Sequence, residues 1–244
     1  MKFICAPYLP DGSTAAAVSA VKIPNVRTIS PPTVSILPSG IRRHSDLGIC
    51  VLGGGRAVCP PDTFKYYSEA LAPFGYRIIC GKQPLGSHYP EDTAYNVGIA
   101  GKKCFLNPKV CDGLLLSELE KSGFEIIPVK QGYAKCSLCP IDADTIICGD
   151  RGISREAERR GMTVLEVDNG GIFLEGYENG FFGGSAGMLS PDVLALNGEL
   201  SAFLGGAAVQ SFLNERKIKI TNLKKGKICD IGSVIPLMID VHNI

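Results

Sequence analysis

The sequence predicts a mixed α/β fold: five β-β-α-β units in a closed, pseudo-five-fold ring, with residues 1–244 forming one domain. Three observations carry this expectation. Residues 131–167 read as one complete β-β-α-β unit. Comparable units open near residues 41, 86 and 176, a period of about 45 residues that marks a repeat architecture. The two chain ends supply complementary parts of a fifth unit. A ring closed by pairing them leaves no open edge.

The template unit comes first. Tyr133–Cys139 reads as a strand, Asp142–Asp144 as a turn and Thr145–Cys148 as a second strand. Ser154–Arg160 reads as a short helix ended by Gly161, and Met162–Val167 as the third strand. In the unit opening near 41, His44-Ser45-Asp46 leads into a strand over Leu47–Leu52. Gly53-Gly54-Gly55 turns the chain and Arg56–Cys59 returns. Asp62 is read as the cap of a helix running to Pro73, and Tyr76–Cys80 closes the unit. In the next unit, residues 86–92 lead into Thr93–Ile99, a turn at Ala100-Gly101-Lys102 and a strand at Lys103–Leu106. The helix Asp112–Ser122 has an apolar face of Leu115, Leu116 and Leu119 and ends at Gly123. Phe124–Val129 is its closing strand.

The unit opening near 176 runs from Phe181–Ala186 to Val193–Leu196, a longer helical region within Ala202–Glu215, and Lys217–Leu223. The fifth unit begins at the C-terminus, where residues 229–233 lead into Val234–Ile239. The N-terminus completes it with Met1–Ala6, an Ala-rich, helix-prone Ser13–Val21, and Val26–Ser30. A Pro/Ser-rich loop over 31–40 joins it to the first unit.

Composition narrows the function classes. Hydrophobic residues are 45% and charged residues 20%, so the chain can bury a large core. A net charge of +1 gives no reason to expect binding to nucleic acid or an anionic membrane surface. No run reaches the roughly 18 apolar residues that a membrane helix needs, and no signal peptide is evident. A cytoplasmic protein is expected. Most of the ten cysteines sit in apolar runs such as Arg77-Ile78-Ile79-Cys80, which suits reduced thiols used as small core residues.

Five such units with helices outside resemble the pentein, or α/β-propeller, fold of the guanidino-group-modifying enzymes. These are the arginine deiminases, dimethylarginine hydrolases, amidinotransferases and agmatine deiminases. The fold also serves a non-catalytic ribosome anti-association factor. The resemblance covers nearly the whole chain and rests on the order of elements. Its most specific piece is Gly132-Tyr133-Ala134-Lys135-Cys136-Ser137, which is similar to the Gly-Leu-His-Leu-Lys-Ser of the dimethylarginine hydrolases. The resemblance places the family's general-base His on Ala134 and its nucleophilic Cys on Gly232, ahead of Ser233-Val234. Guanidino hydrolysis needs a thiolate and an acid/base at those two places. The chain has neither there, and so resembles a bacterial branch of the fold without the usual Cys/His chemistry.

The ring makes a prediction of its own. The first strands begin at one end, so their leading residues should converge on the mouth of a central channel. Those nominated for ligand binding are His44, Asp46, His88, Glu91, Asp92, Lys135, Tyr177, Glu178, Asn179 and Asp230. Arg42, Arg43, Tyr89 and Tyr133 accompany them. Carboxylates in such a site suit a guanidinium or ammonium group. The plainer alternative is a set of solvated loop residues. His44 and His88 occupy matching positions ahead of two first strands, which favours a role for the pair.

Other motifs weigh less. Cys136-Ser137-Leu138-Cys139 is a lone CxxC with no second pair for zinc, and on a strand its cysteines face opposite ways. Gly183-Gly184-Ser185-Ala186-Gly187 matches G-x-S-x-G, but no helix pattern follows the serine. Gly53-Gly54-Gly55 is a hairpin turn before it is a dinucleotide loop, and Lys224-Lys225-Gly226-Lys227 is a solvated basic turn. No metal or cofactor is expected. The leading expectation is a small guanidino- or amino-acid-like ligand in the central channel, bound without Cys/His hydrolysis. One alternative is a hydrolase or transferase acting on amidine C–N bonds through a relocated nucleophile, Cys136 or Ser185, with His88 in support. Another is a macromolecular adaptor. A deep polar pocket uniting His88, Glu91, Glu178 and Asp230 would favour binding. Cys136 on a pocket floor beside a His would favour the enzyme, and a filled channel the adaptor.

Overall fold

The computed structural model describes residues 2–5 and 27–239. Within them lie five three-stranded sheets. One unites both chain ends: β1 (Lys2–Cys5) and β2 (Arg27–Thr28) with β15 (Pro236–Ile239). The others are β3 (Cys50–Gly53), β4 (Arg56–Cys59) and β5 (Arg77–Cys80); β6 (Gly98–Ala100), β7 (Lys103–Leu106) and β8 (Glu125–Pro128); β9 (Leu138–Pro140), β10 (Thr145–Cys148) and β11 (Thr163–Glu166); and β12 (Ala186–Ser190), β13 (Val193–Asn197) and β14 (Lys219–Lys224). Seven α-helices lie among the described residues: α1 (Ser45–Gly48), α2 (Pro61–Leu71), α3 (Gly113–Lys121), α4 (Ala134–Ser137), α5 (Arg151–Glu158), α6 (Phe182–Ser185) and α7 (Gly206–Glu215).

All five sheets share one connectivity. The middle strand is antiparallel to one neighbour and parallel to the other, as in β3-β4-β5. At the chain ends β1 is antiparallel to β15, with Lys2 opposite Ile239 and Cys5 opposite Pro236, and parallel to β2. Parallel neighbours need a crossover. Helices α2, α3, α5 and α7 supply it in four sheets. The helix expected over Ser13–Val21 lies outside the described residues.

Local signals explain the crossover helices and correct some boundaries. Asp112 caps α3: its Oδ1 accepts from the N–H groups of Leu114 and Leu115, both at 2.9 Å. Leu115 and Leu119 are fully buried, and Gly123 ends the helix at φ 71°. Asp62 is not a cap. Helix α2 starts at Pro61, whose missing N–H suits the first helical position, and Asp62 Oδ2 instead accepts from Leu85 N at 3.0 Å. That helix stops at Leu71, followed by a 3-10 turn over Ala72–Phe74. Helix α5 starts three residues before Ser154 because Asp150 caps it, accepting from Ile153 N at 2.9 Å.

The larger correction concerns the first strand of each unit. Leu47–Leu52, Thr93–Ile99, Tyr133–Cys139 and Phe181–Ala186 each open with a helical turn and only then extend. The turns are α1, a 3-10 turn at Glu91–Thr93, α4 and α6. These segments are buried almost throughout, so neither a two-residue nor a 3.6-residue period is visible in them. A turn also pairs backbone groups locally, as Ile49 N does with Ser45 O and Ser137 N with Tyr133 O, both at 3.0 Å.

The shortened strands β6, β9, β12, β15 and β3 touch in sequence: β6 meets β9, β9 meets β12, β12 meets β15 and β15 meets β3. The approach is close. A Cβ on Gly187 of β12 would fall 1.9 Å from Val234 O, so only glycine fits. Apolar clusters fill the space between sheets and crossover helices. Cys50, Cys59, Cys104, Cys139 and Cys148 are core members of these clusters, and all are free thiols. Among the described residues, no helix is long and apolar enough to cross a membrane.

Two outcomes follow for stability. Gly187→Ala should cost about 1–3 kcal/mol through overpacking, read as a lower urea midpoint, while Gly113→Ala, with nothing within 4 Å, should not. Equal midpoints for the two variants would refute the packing account. Asp112 gives a pH signature. Burial alone would raise its carboxyl, but N–H donors from Leu115, Gln83, Lys82 and Leu114 hold it below the usual range. A depressed folded pKa stabilises above the unfolded value of about 4 and loses that contribution as pH falls through the folded value. Asp112→Ala should therefore cost about 1–2 kcal/mol at pH 7 and much less near pH 2, measured by urea unfolding at both.

Candidate functional site

The helical turns that shorten the first strands also gather polar side chains at one place. Asp46 comes from α1, Asn96 from the segment before β6, and Lys135 and Cys136 from α4. Gly183 comes from α6 and Ser233 from the segment before β15. Asp46, at 1% exposure, is the centre. Its Oδ2 accepts from Ser233 Oγ at 2.6 Å and from the Cys136 thiol at 3.1 Å. Asn96 Nδ2 donates to the Asp46 carbonyl at 3.0 Å and to Cys136 Sγ at 3.1 Å. Its Oδ1 accepts from the backbone N–H of Lys135 at 2.7 Å and of Cys136 at 3.3 Å. Lys135 Nζ donates to Ser233 Oγ at 2.9 Å and to Gly183 O at 3.5 Å. Ser233 holds a left-handed φ of 67°, fixed by these side-chain bonds and by its N–H donating to Gly184 O at 2.7 Å. Asp46 Oδ1 is buried and has no hydrogen-bond partner among the described residues.

Two cavities meet this cluster. The larger, about 300 Å³, is lined by Asp46 and Lys135 and otherwise mostly by apolar groups, including Ile49, Val51, Val97, Ile99, Met188 and Ile235. The smaller, about 30 Å³, is lined by Cys136, His44, Asp230, Tyr133, Tyr177, Asn179 and Phe181. That is room for about one water. The nominated residues thus divide. Asp46 and Lys135 face the larger space, and His44, Tyr177, Asn179 and Asp230 the smaller. His88, Glu91, Asp92 and Glu178 line neither. His88 is exposed, its Nδ1 2.6 Å from Ser87 Oγ. Glu91 is exposed and packs on Gly86, and Glu178 is exposed. Asp92 sits behind Tyr133, whose hydroxyl donates to it at 2.6 Å. Asn96 and Ser233 were absent from the sequence nomination. The available signal was a polar residue inside the buried run Ala94-Tyr95-Asn96-Val97.

The small cavity is structural in much of its chemistry. Asp230 Oδ1 accepts from Gly232 N at 3.0 Å and Oδ2 from Phe181 N at 2.9 Å, with His44 Nδ1 3.8 Å away. Burial raises its carboxyl, against the pull of His44. Burial also pushes the Cys136 thiol well above its usual range, and Asp46 and Asp230 push it further. The two positions that the family resemblance makes catalytic are both tightly surrounded. A Cβ on Gly232 would lie 2.3 Å from His44 Cα, and Ala134 is fully buried in an apolar cluster. Ser185 is fully buried and donates to Phe181 O at 2.8 Å, and a strand rather than a helix follows it. Among the described residues, no group of three or more His, Cys, Asp or Glu is placed to hold a metal.

Thiolate availability governs alkylation. Native protein treated with iodoacetamide at pH 7.5 should therefore label at the half-buried Cys80 and Cys229 well before Cys136. Peptide mass spectrometry reads the order, and early labelling of Cys136 would contradict its buried, protonated state.

Solved structures share this architecture. An agmatine deiminase from C. jejuni, solved with substrate bound, superposes with a TM-score of 0.59 at 12% identity, covering 96% of this chain and 92% of that one. A dimethylarginine dimethylaminohydrolase from Pseudomonas aeruginosa, complexed with citrulline, gives 0.56 at 10% identity, covering 91% and 92%. An amidinotransferase from Microseira wollei gives 0.56 at 11%, covering 91% and 88%. The chain therefore has the fold of the pentein, guanidino-group-modifying enzymes. The sequence matches no curated protein. The profile of a family of unknown function, DUF6873, matches residues 11–235, and the chain belongs to that family.

Proposed function

We propose that the five sheets close into a ring around a central channel, and that the protein binds a small ligand with a cationic head there, anchored by Asp46. One observation carries the reading: Asp46, at 1% exposure, lines the roughly 300 Å³ cavity, and its buried Oδ1 has no hydrogen-bond partner among the described residues. A buried acceptor without a donor is costly, and an ammonium or amidinium would supply a charge-assisted bond. Two solved structures of this fold are a dimethylarginine dimethylaminohydrolase and an agmatine deiminase, whose names carry such cationic heads. Binding takes place without the fold's usual Cys/His hydrolysis. Gly232 has no room for a Cβ, and Ala134 is fully buried in an apolar cluster.

A second reading has its own support. Cys136, His44 and Asp230 line one cavity, and the Cys136 thiol already donates a hydrogen bond to Asp46. A cation bound nearby would favour the thiolate, which could then attack an amidine carbon. The residues around Tyr177–Phe181 would have to move, because about 30 Å³ holds no substrate.

Thermal-shift and calorimetric titration with arginine, agmatine and simple alkylamines test the binding reading. Asp46→Asn keeps an oxygen for Ser233 but removes the charge, and should weaken binding by about 10- to 100-fold. Equal binding by wild type and Asp46→Asn would remove the anchor from the argument. Release of ammonia or an amine that disappears in Cys136→Ser would favour the second reading over the first.

A further inference from the structure

We propose that the ligand is a zwitterion with a compact aliphatic body, of the class of branched aliphatic α-amino acids, and not a guanidine. The inference rests on the reading above that Asp46 anchors a cationic head, and it adds the rest of the ligand. Asp46 and Lys135 stand at the polar end of the cavity with opposite charges. Two of the three N–H donors of the Lys135 ammonium go to Ser233 Oγ and Gly183 O. The third is available to an anionic group held beside the cation at Asp46. Lys135 and Asp46 are joined through Ser233 Oγ, at 2.9 and 2.6 Å, and an α-amino acid carries the complementary ammonium and carboxylate on the same carbon of one small molecule.

The remainder of the wall selects the body. Val97, Ile99, Met188 and Ile235 present hydrocarbon, and Tyr95 has committed its hydroxyl to Gln83 O at 2.7 Å. A guanidinium tail lying against these groups would lose water without gaining a partner. An aliphatic tail would gain from the same contact. The one further charge on the wall, Asp142, is exposed and its Oδ1 already accepts from Asp144 N at 2.8 Å. It stands in water at the rim, where a cation gains little. A volume of about 300 Å³ suits a single small metabolite.

Calorimetric titration of the full chain with leucine, isoleucine, arginine, agmatine and isoamylamine separates the possibilities. Leucine or isoleucine should bind at least about 10-fold tighter than arginine, and tighter than isoamylamine, which lacks the carboxylate. Lys135→Met should weaken leucine by about 10-fold or more and weaken isoamylamine distinctly less. Ile99→Asp, which puts an anion on the aliphatic wall, should weaken leucine even if Lys135→Met proves unstable. Tighter binding of arginine or agmatine overturns the aliphatic class while leaving the cationic anchor intact. So does leucine binding that ignores both variants. Isoamylamine binding that depends on Asp46, with no gain for leucine, overturns the zwitterion alone. No binding by any probe overturns this inference together with the reading on which it rests.

Discussion

One carboxylate ties distant parts of the chain together. Asp46, near the start of the first unit, accepts a hydrogen bond from the Ser233 hydroxyl, 187 residues away, and one from the Cys136 thiol, 90 residues away. Asn96 bridges the Asp46 carbonyl to the backbone of Lys135 and Cys136, and Lys135 reaches Gly183 and Ser233. Each of the five sheets is therefore preceded by a segment that contributes to one hydrogen-bonded cluster. Burying such groups is costly, and the cost is offset only where every donor and acceptor finds a partner. The cluster meets that condition at Ser233, Asn96 and Cys136, while Asp46 Oδ1 is buried without a hydrogen-bond partner among the described residues.

The same crowding accounts for what the site lacks. The units approach so closely that Gly187 faces a backbone carbonyl and Gly232 faces His44 with no space for a Cβ. A cysteine at 232 would push into His44, and Gly232 itself needs its φ of 73°. Ala134 is packed within apolar neighbours. The chain keeps the fold of the solved guanidino-group-modifying enzymes, and its buried charged groups here include Asp46 and Asp230.

Much of the fold was legible in the sequence. Second and third strands, the crossover helices and the pairing of both chain ends followed from apolar runs, glycine stops and caps such as Asp112. The helical turns ahead of β3, β6, β9 and β12 were not legible, since a segment buried on all sides has no periodic pattern. That one misreading carried into the site. A strand would have set Asp46, Lys135 and the leading residues along a common mouth. A turn advances about 100° per residue, so neighbours in sequence part company. Lys135 then faces the larger cavity and Cys136 the smaller.

The sequence by itself determined the five-unit order and the absence of a histidine at 134 and a cysteine at 232, because these are properties of residue type and spacing. Only the tertiary structure decided which polar residues meet. Ser233 carries no sequence signal of its own and Asn96 only that of a polar residue in an apolar run; both become important by lying within hydrogen-bond reach of Asp46 across 187 and 50 positions. Likewise, nothing local distinguishes Asp46, which lines a 300 Å³ space, from Asp230, whose two oxygens are taken by the backbone. Whether a carboxylate is spent on the fold or left for a ligand depends on which donors surround it in three dimensions.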